Sequence, residues 1–351
     1  MAYLNSEHVK TISANRSLNT GDTPLLEYSS VYWGVHAKRE LSHYARSLAL
    51  ELFQEDDCHI STQLLLEQED MDPWSLGIDF RFGWLHCASL FGVDGLVAAL
   101  IEMESYDINE GDFSGYTPLI WAARNGHEEV VKILLGRKEV NPNKPDDEGQ
   151  TPLSHAASGG HDGVVKILLG REEVNPNKPD NDGQTPLLCA AGRGREGAVK
   201  ILLGRQDVNP EKPDHDGQTP LSYAASNGRD GVVKILLEQA DVNPDRPDDW
   251  GQTPLSCAAR NGHQGAVEIP LELGEVNPDK RDNGGKTPLS YAAWFGRAGV
   301  VKILLKREEV NPNNADKYGQ TPLMLAAMYG HKRVAGLLQS HQAATTGRST
   351  S

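Results

Sequence analysis

The sequence predicts an elongated, all-α dominated repeat solenoid, in which short helix-turn-helix units stack side by side. Three observations predict it. The tripeptide Thr-Pro-Leu begins at Thr117, Thr151, Thr185, Thr219, Thr253, Thr287 and Thr321, always 34 residues apart. Residues 117–150 and 151–184 are identical at 25 of 34 positions, so the period records duplication and not a biased composition. Each unit also spends about a dozen residues on a Pro/Gly/Asp-rich stretch, such as VNPNKPDDEGQ at 140–150, which leaves room only for two short helices. A weaker copy lies in phase upstream, from Gly83 to Glu102, where Ala88, Gly92 and Leu100 stand in the places of Ala122, Gly126 and Leu134.

Each element of the unit has a local cause. The Thr151 hydroxyl can accept from an orphan N–H at the start of the first helix. Pro152 follows at the first helical position, where its missing donor does no harm. Leu153, Ala156 and Ala157 give that inner helix a face small enough for close stacking. Gly160 closes it in the left-handed conformation that glycine tolerates. Val164, Val165, Ile167, Leu168 and Leu169 form an outer helix, apolar enough to be buried between neighbours. A proline-stiffened arm then turns at Asp146-Asp147-Glu148-Gly149 and its equivalents. One unit cannot bury these faces alone, whereas stacked units make a continuous core.

A 34-residue period is also the length of a tetratricopeptide repeat, but that fold needs two long helices and only a short turn. The pattern T-P-L-x-x-A-A-x-x-G-x-x-x-V-V-K-I-L-L instead resembles the ankyrin repeat, over residues 83 to about 340. The resemblance implies a helix-turn-helix followed by a β-hairpin loop, and partner binding on a concave face built from inner helices and hairpins. This chain departs from the family at the arm. The outer helix runs into Arg137-Lys138-Glu139-Val140-Asn141 one residue early, and Pro142-Asn143-Lys144-Pro145 adds two residues, giving 34 in place of 33. Longer fingers are the expected result.

Several motifs compete with this reading. Gly284-Gly285-Lys286-Thr287 looks like the end of a phosphate-binding loop, but the loop's first glycine would fall at Lys280. Lys286 occupies the slot of Gln150, Gln184 and Gln218, so it belongs to a finger. Gly192-Arg193-Gly194-Arg195-Glu196-Gly197 fits GxGxxG, yet an inner helix precedes it where a dinucleotide site needs a strand. His127, His161, His263 and His331 recur at one place whole repeats apart, which suits structural histidines and not a shared metal ion. Cys189 and Cys257 are likewise two repeats apart, too far for a disulfide. No nucleophile–base pair or carboxylate dyad stands out, so neither catalysis nor a cofactor is expected. Pro270, in the slot of Leu134, Leu168 and Leu202, should kink or break its outer helix and make 253–286 the weakest link.

The formal net charge of -15 argues against a nucleic-acid surface, which needs a basic stripe. No apolar run of about 18 residues offers a membrane span. The start lacks a signal-peptide core. Four cysteines without CxxC spacing suit a reducing, cytoplasmic location, with the nucleus as the other candidate. Four segments are expected: a disordered start at 1–23, a helical segment or cap at 24–82, the array at 83–340, and a disordered tail at 341–351. In the second, Leu41, Tyr44, Ala45, Leu48 and Leu52 have helical spacing. The stretch LLEYSSVYWGVHA, Leu25–Ala37, resembles the helical segment ahead of the arrays of fungal NACHT-type receptors. That resemblance implies a sensing array standing without its nucleotide-switching domain.

Positions that vary between copies are free to serve a partner. They are the finger tips and the two residues after Ala-Ala. The tips include the acidic residues Asp147, Glu148, Asp182, Asp216 and Asp249, a solvated edge that would also suit a basic partner. The C-terminal copies instead gather Trp250, Trp294, Phe295, Tyr318, Met328 and Tyr329, and clustered aromatics are typical interface anchors. The reading is a monomeric, non-enzymatic module that binds a protein ligand. An adaptor recruiting substrates to a separate enzyme is the second reading, and a fast-evolving array without a dedicated ligand the third.

Overall fold

The computed structural model describes residues 83–102, 107–274 and 276–348. The segments expected at 1–23 and 24–82 therefore lie outside the described residues, as does Cys58. The chain divides into two compact units, Met1–Ala156 with Lys166–Val174, and Ala157–Val165 with Asn175–Ser351. The first contains α1 (Trp84–Phe91), α2 (Asp94–Glu102), α3 (Pro118–Arg124) and α4 (Glu128–Leu135). Helices α5 (Pro152–Gly159) and α6 (Asp162–Leu169) contribute residues to both units. The second contains α7 (Pro186–Arg193), α8 (Glu196–Leu203), α9 (Pro220–Ser226), α10 (Asp230–Leu237), α11 (Pro254–Asn261) and α12 (Gln264–Leu273). It continues through α13 (Pro288–Trp294), α14 (Ala298–Leu304), α15 (Pro322–Met328) and α16 (Lys332–Arg348). Inside each unit an inner helix packs on its own outer helix and on the next inner helix, and outer helices pack on outer helices.

The caps form as the threonines predict. Thr185 Oγ1 accepts from the Leu188 N–H at 3.3 Å, Thr253 from Ser256 at 3.2 Å, and a proline opens each of these helices. Such a cap contributes about 1 kcal/mol. The alanine pairs, such as Ala190-Ala191, are solvent-free, which brings neighbouring inner helices close. Gly194 closes α7 at φ 74°, and a Cβ there would lie 2.8 Å from Arg229 Cδ of the next repeat. The recurring histidine position is a tie between repeats. His331 Nε2 lies 2.9 Å from the Trp294 carbonyl and His127 Nε2 2.8 Å from that of Leu90. Arginine performs the same task elsewhere, with Arg195 Nε donating to the Ser158 carbonyl at 3.1 Å and Arg297 Nε to that of Arg260 at 3.0 Å.

Three expectations need correction. No strand forms among the described residues, so the finger is a turn and not a β-hairpin. The Asp146 N–H donates to the Gln150 carbonyl at 3.0 Å. The Gln150 N–H, which would make the answering rung, donates instead to Asp146 Oδ1 at 2.8 Å. A carboxylate is the stronger acceptor, and Pro145 has no N–H with which to extend a ladder. Secondly, α12 continues through Pro270 to Leu273, so the proline does not break the helix. Thirdly, α16 runs to Arg348, so residues 341–348 of the expected disordered tail are helical. The run Gln342-Ala343-Ala344 favours helix.

The two residues added to each arm carry links between repeats. Asn177 Oδ1 accepts from the Asn209 N–H at 2.8 Å, Asp245 Oδ2 from Asn277 at 2.8 Å, and Asp279 Oδ2 from Asn311 at 2.8 Å. Inside the second unit, main-chain bonds join finger tips, as from the Asp249 N–H to the Asp216 carbonyl at 3.1 Å and from Asn283 to Trp250 at 3.0 Å. Cys87, Cys189 and Cys257 are buried free thiols, each pushed up to about 12 by desolvation and so unreactive near neutrality.

Candidate functional site

Every complete finger contains an aspartate at one place, buried at Asp112, Asp146, Asp180, Asp214, Asp248 and Asp316 and half-buried at Asp282. One carboxylate oxygen closes the turn, as when Asp282 Oδ1 accepts from the Gly284 and Lys286 N–H groups at 2.8 and 2.7 Å. The other oxygen points to the inner helix, nine residues on. There Trp121 Nε1 donates to Asp112 at 2.9 Å, His155 Nε2 lies 2.7 Å from Asp146, and the Tyr291 hydroxyl donates to Asp282 at 2.6 Å. Ring donors thus lock finger to helix, and burial together with the aspartate raises the Tyr291 hydroxyl above its ordinary range.

In the last repeat this position is Leu325, which has no donor. Lys286 supplies a positive charge from the preceding finger, its Nζ pairing with Asp316 Oδ2 at 3.3 Å. Burial pushes the Asp316 carboxyl up, but the Gln320 and Tyr318 N–H groups and Lys286 together hold it below its ordinary value. The same ammonium lies 5.3 Å from the Trp294 ring centre and 5.8 Å from that of Tyr318. The residue that mimics a phosphate-loop lysine is the centre post of an aromatic cluster.

Around that post, Trp294 stands 5.1 Å from Phe295, 5.9 Å from Tyr329 and 6.2 Å from Tyr291, against which it stacks. The Arg260 guanidinium lies over Phe295 at 5.4 Å. Four of the six predicted aromatic-site residues, Trp294, Phe295, Tyr318 and Tyr329, are therefore gathered through direct ring contacts or through Lys286. Met328 shares their end of the unit. Trp250 does not join them: it stands on an earlier finger, beside a cavity of about 360 Å³ that Arg260 also borders. Exposure peaks at this end, at 80% for Tyr318, 61% for Met328 and 52% for Tyr329, while Trp294 and Phe295 are half-buried.

The acidic tips Asp147, Glu148, Asp182, Asp216 and Asp249 are all exposed, spread along successive fingers with the first two on one tip. Sequence reasoning passed over Lys286 and also Met324, which is 54% exposed. Met324 occupies the buried position of Ile120 and Ser256, and among the described residues no further inner helix covers it. A second ring cluster, in the first unit, was also missed: Tyr116 lies 5.2 Å from Trp121 and 5.1 Å from His155, with Arg124 Nη1 donating to its hydroxyl at 2.8 Å. The signal for both clusters is the nine-residue spacing from finger aspartate to ring donor.

Among the described residues no three His, Cys, Asp or Glu side chains gather as a metal site, and no helix is long and apolar enough to cross a membrane. A comparison with curated proteins gives no match. A family model for ankyrin repeats, spanning three copies, matches in overlapping placements from residues 54–146 to 271–349. That model describes the repeats alone. With its placements covering residues 54–349 and the paired helices that the structure shows, the chain belongs to the ankyrin-repeat family.

Proposed function

We propose that the chain is a non-enzymatic protein-binding module whose partner rests on the aromatic end of the second unit. One observation carries this reading. The last repeat of a stacked array should present a polar outer face to water. Here α15 and its capping residue Tyr329 instead expose Met324, Met328 and the Tyr329 ring, next to a Trp294–Phe295 pair whose Trp294 ring lies beside Lys286. Ankyrin arrays are in general protein-interaction modules, and an apolar patch bordered by charged fingers suits that use. The acidic fingers add a long-range preference for a basic partner. The buried thiols suit a reducing compartment, and the Leu25–Ala37 resemblance suits a sensing role.

The test is affinity capture from native extract with the intact protein and with a Trp294→Ala/Phe295→Ala variant of unchanged circular dichroism. A partner captured only by the intact protein is then purified and titrated directly. Truncating two anchors should weaken it by about 2 kcal/mol or more, roughly 30-fold in Kd. Equal binding by both proteins would remove the aromatic end from the interface.

A further inference from the structure

The last described repeat carries the opposite sign of charge to the chain as a whole. From Lys317 to Ser351 there is no aspartate or glutamate, in a chain whose formal net charge is -15. Lys332 stands in the place of Glu128, Asp162, Glu196 and Asp230. In the second unit those acids reach over the repeat that follows. A Cβ at Gly197 would strike the Asp162 carboxylate, one at Gly231 that of Glu196, and one at Gly265 that of Asp230. The same position at Lys332 faces outward, where among the described residues no repeat follows, and the side chain is exposed. Lys317 at the finger tip and Arg333 beside Lys332 are exposed as well.

Between the finger of Lys317 and the α16 start at Lys332 runs α15, and its outward strip is apolar. Met324, Ala327 and Met328 are exposed and spaced i, i+3 and i+4, so they share one face. In α11 the equivalents of the first two, Ser256 and Ala259, are buried, and the next inner helix, α13, packs on α11. The strip is therefore the seat of a further inner helix, with an alanine at its centre that permits close approach. A second copy docked symmetrically on this face would set Lys317 and Lys332 against their own counterparts, and a basic segment meets the same repulsion. A nucleic acid would satisfy the lysines and leave the methionines wet. An acidic helix satisfies both. The acidic tips stand on earlier fingers, so the basic preference they set applies to other parts of the same partner.

We propose that α15 seats an amphipathic helix of the bound protein, its apolar stripe on Met324, Ala327 and Met328 and the carboxylates at its margins facing Lys332 and Lys317. This rests on the protein-binding reading above and names the chemistry of the partner.

The probe is an acetylated, amidated peptide of about 14 residues, built from Leu, Ala and Glu in helical spacing and compared with the same peptide carrying Lys for every Glu. It is titrated into the full chain and followed by the Met324 and Met328 methyl resonances, assigned by their loss in Met324→Leu and Met328→Leu. The expected result is saturable binding of the Glu peptide that moves both resonances, about tenfold tighter than the Lys peptide. Lys332→Glu/Arg333→Gly should weaken it about tenfold. That pair is the one found at Glu196-Gly197, so the fold should tolerate it. If it does not fold, Lys317→Asn, the residue type of Asn283, decides with a loss of about threefold. Equal binding of the two peptides, unchanged affinity in the variants, shifts that spare both methionines, or no saturation overturns the proposal. Tighter binding of poly(U) or of phosphatidylserine vesicles at the same resonances does so too. The Trp294→Ala/Phe295→Ala capture is independent: a partner lost there that still binds Lys332→Glu/Arg333→Gly at full affinity keeps the aromatic surface and removes the acidic helix.

Discussion

Replacing Pro270 by leucine tests how stability is distributed along the second unit. The slot holds leucine at 134, 168, 202, 236, 304 and 338, and each of these is solvent-free. Pro270 is buried in the same place, so leucine enters a site already shaped for it. Proline removes the N–H that would donate to the Ala266 carbonyl, and its ring crowds that carbonyl. An interior proline costs about 3 kcal/mol relative to a good helix former. The continuity of α12 through Pro270 shows that the neighbours hold the helix in spite of this cost, so the deficit should appear as easier local opening. Native-state hydrogen exchange, read peptide by peptide, measures such opening. In the natural protein, amides of Gln264–Leu273 should exchange faster than those of Glu196–Leu203. In Pro270→Leu they should slow by roughly 100-fold, the equivalent of about 3 kcal/mol. Equal protection of the two helices in the natural protein, or no slowing in the variant, would refute the argument.

Two matched substitutions probe the finger aspartates. Asp248→Asn keeps the turn-closing oxygen and replaces a desolvated, unpartnered one with an amide, so it should stabilise by about 1 kcal/mol at pH 7, seen as a raised denaturation midpoint. Asp282→Asn weakens the acceptor of the Tyr291 hydroxyl and should destabilise by a similar amount; a common sign for both would sink the pairing scheme. Lys286→Gln should lower the thermal midpoint and quench less at Trp294, since it removes both the Asp316 partner and the ammonium over the ring. Because the folded Asp316 carboxyl is depressed, its contribution should persist above about pH 4, the ordinary carboxylate range, and fade as the pH falls through its folded value. Acid titration of the natural protein and of Asp316→Asn should therefore diverge above that range and converge well below it.

The period, the capping threonines and the alanine pairs were legible because each acts through its own backbone within a few residues. Gly194 and Thr185 do in the structure what their chemistry requires locally. The finger was misread as a hairpin because the contest between the Asp146 carboxylate and its carbonyl for one N–H depends on geometry, and the letters D-D-E-G suit either turn. The aromatic end was legible in part, as an excess of rings in variable slots. Lys286 was hidden because its partner, Asp316, lies one repeat away, and because the reason for the pairing is an absence at Leu325. Met324 was hidden for a related reason: its exposure comes from its place in the last described repeat and not from its own residue type. Trp250 shares composition with the cluster but not location, since it sits two fingers before Tyr318, the ring in the equivalent tip position.

Links that repeat every 34 residues allow a whole copy to be inserted or lost by unequal recombination, since each new junction meets the acceptor it expects. The Lys286–Asp316 bridge is an exception to that interchangeability. A copy spliced between them would put a glutamine in place of Lys286 on the finger ahead of Asp316 and remove the ammonium from that carboxylate. The two copies that share this bridge are coupled to one another in a way that the interchangeable copies are not.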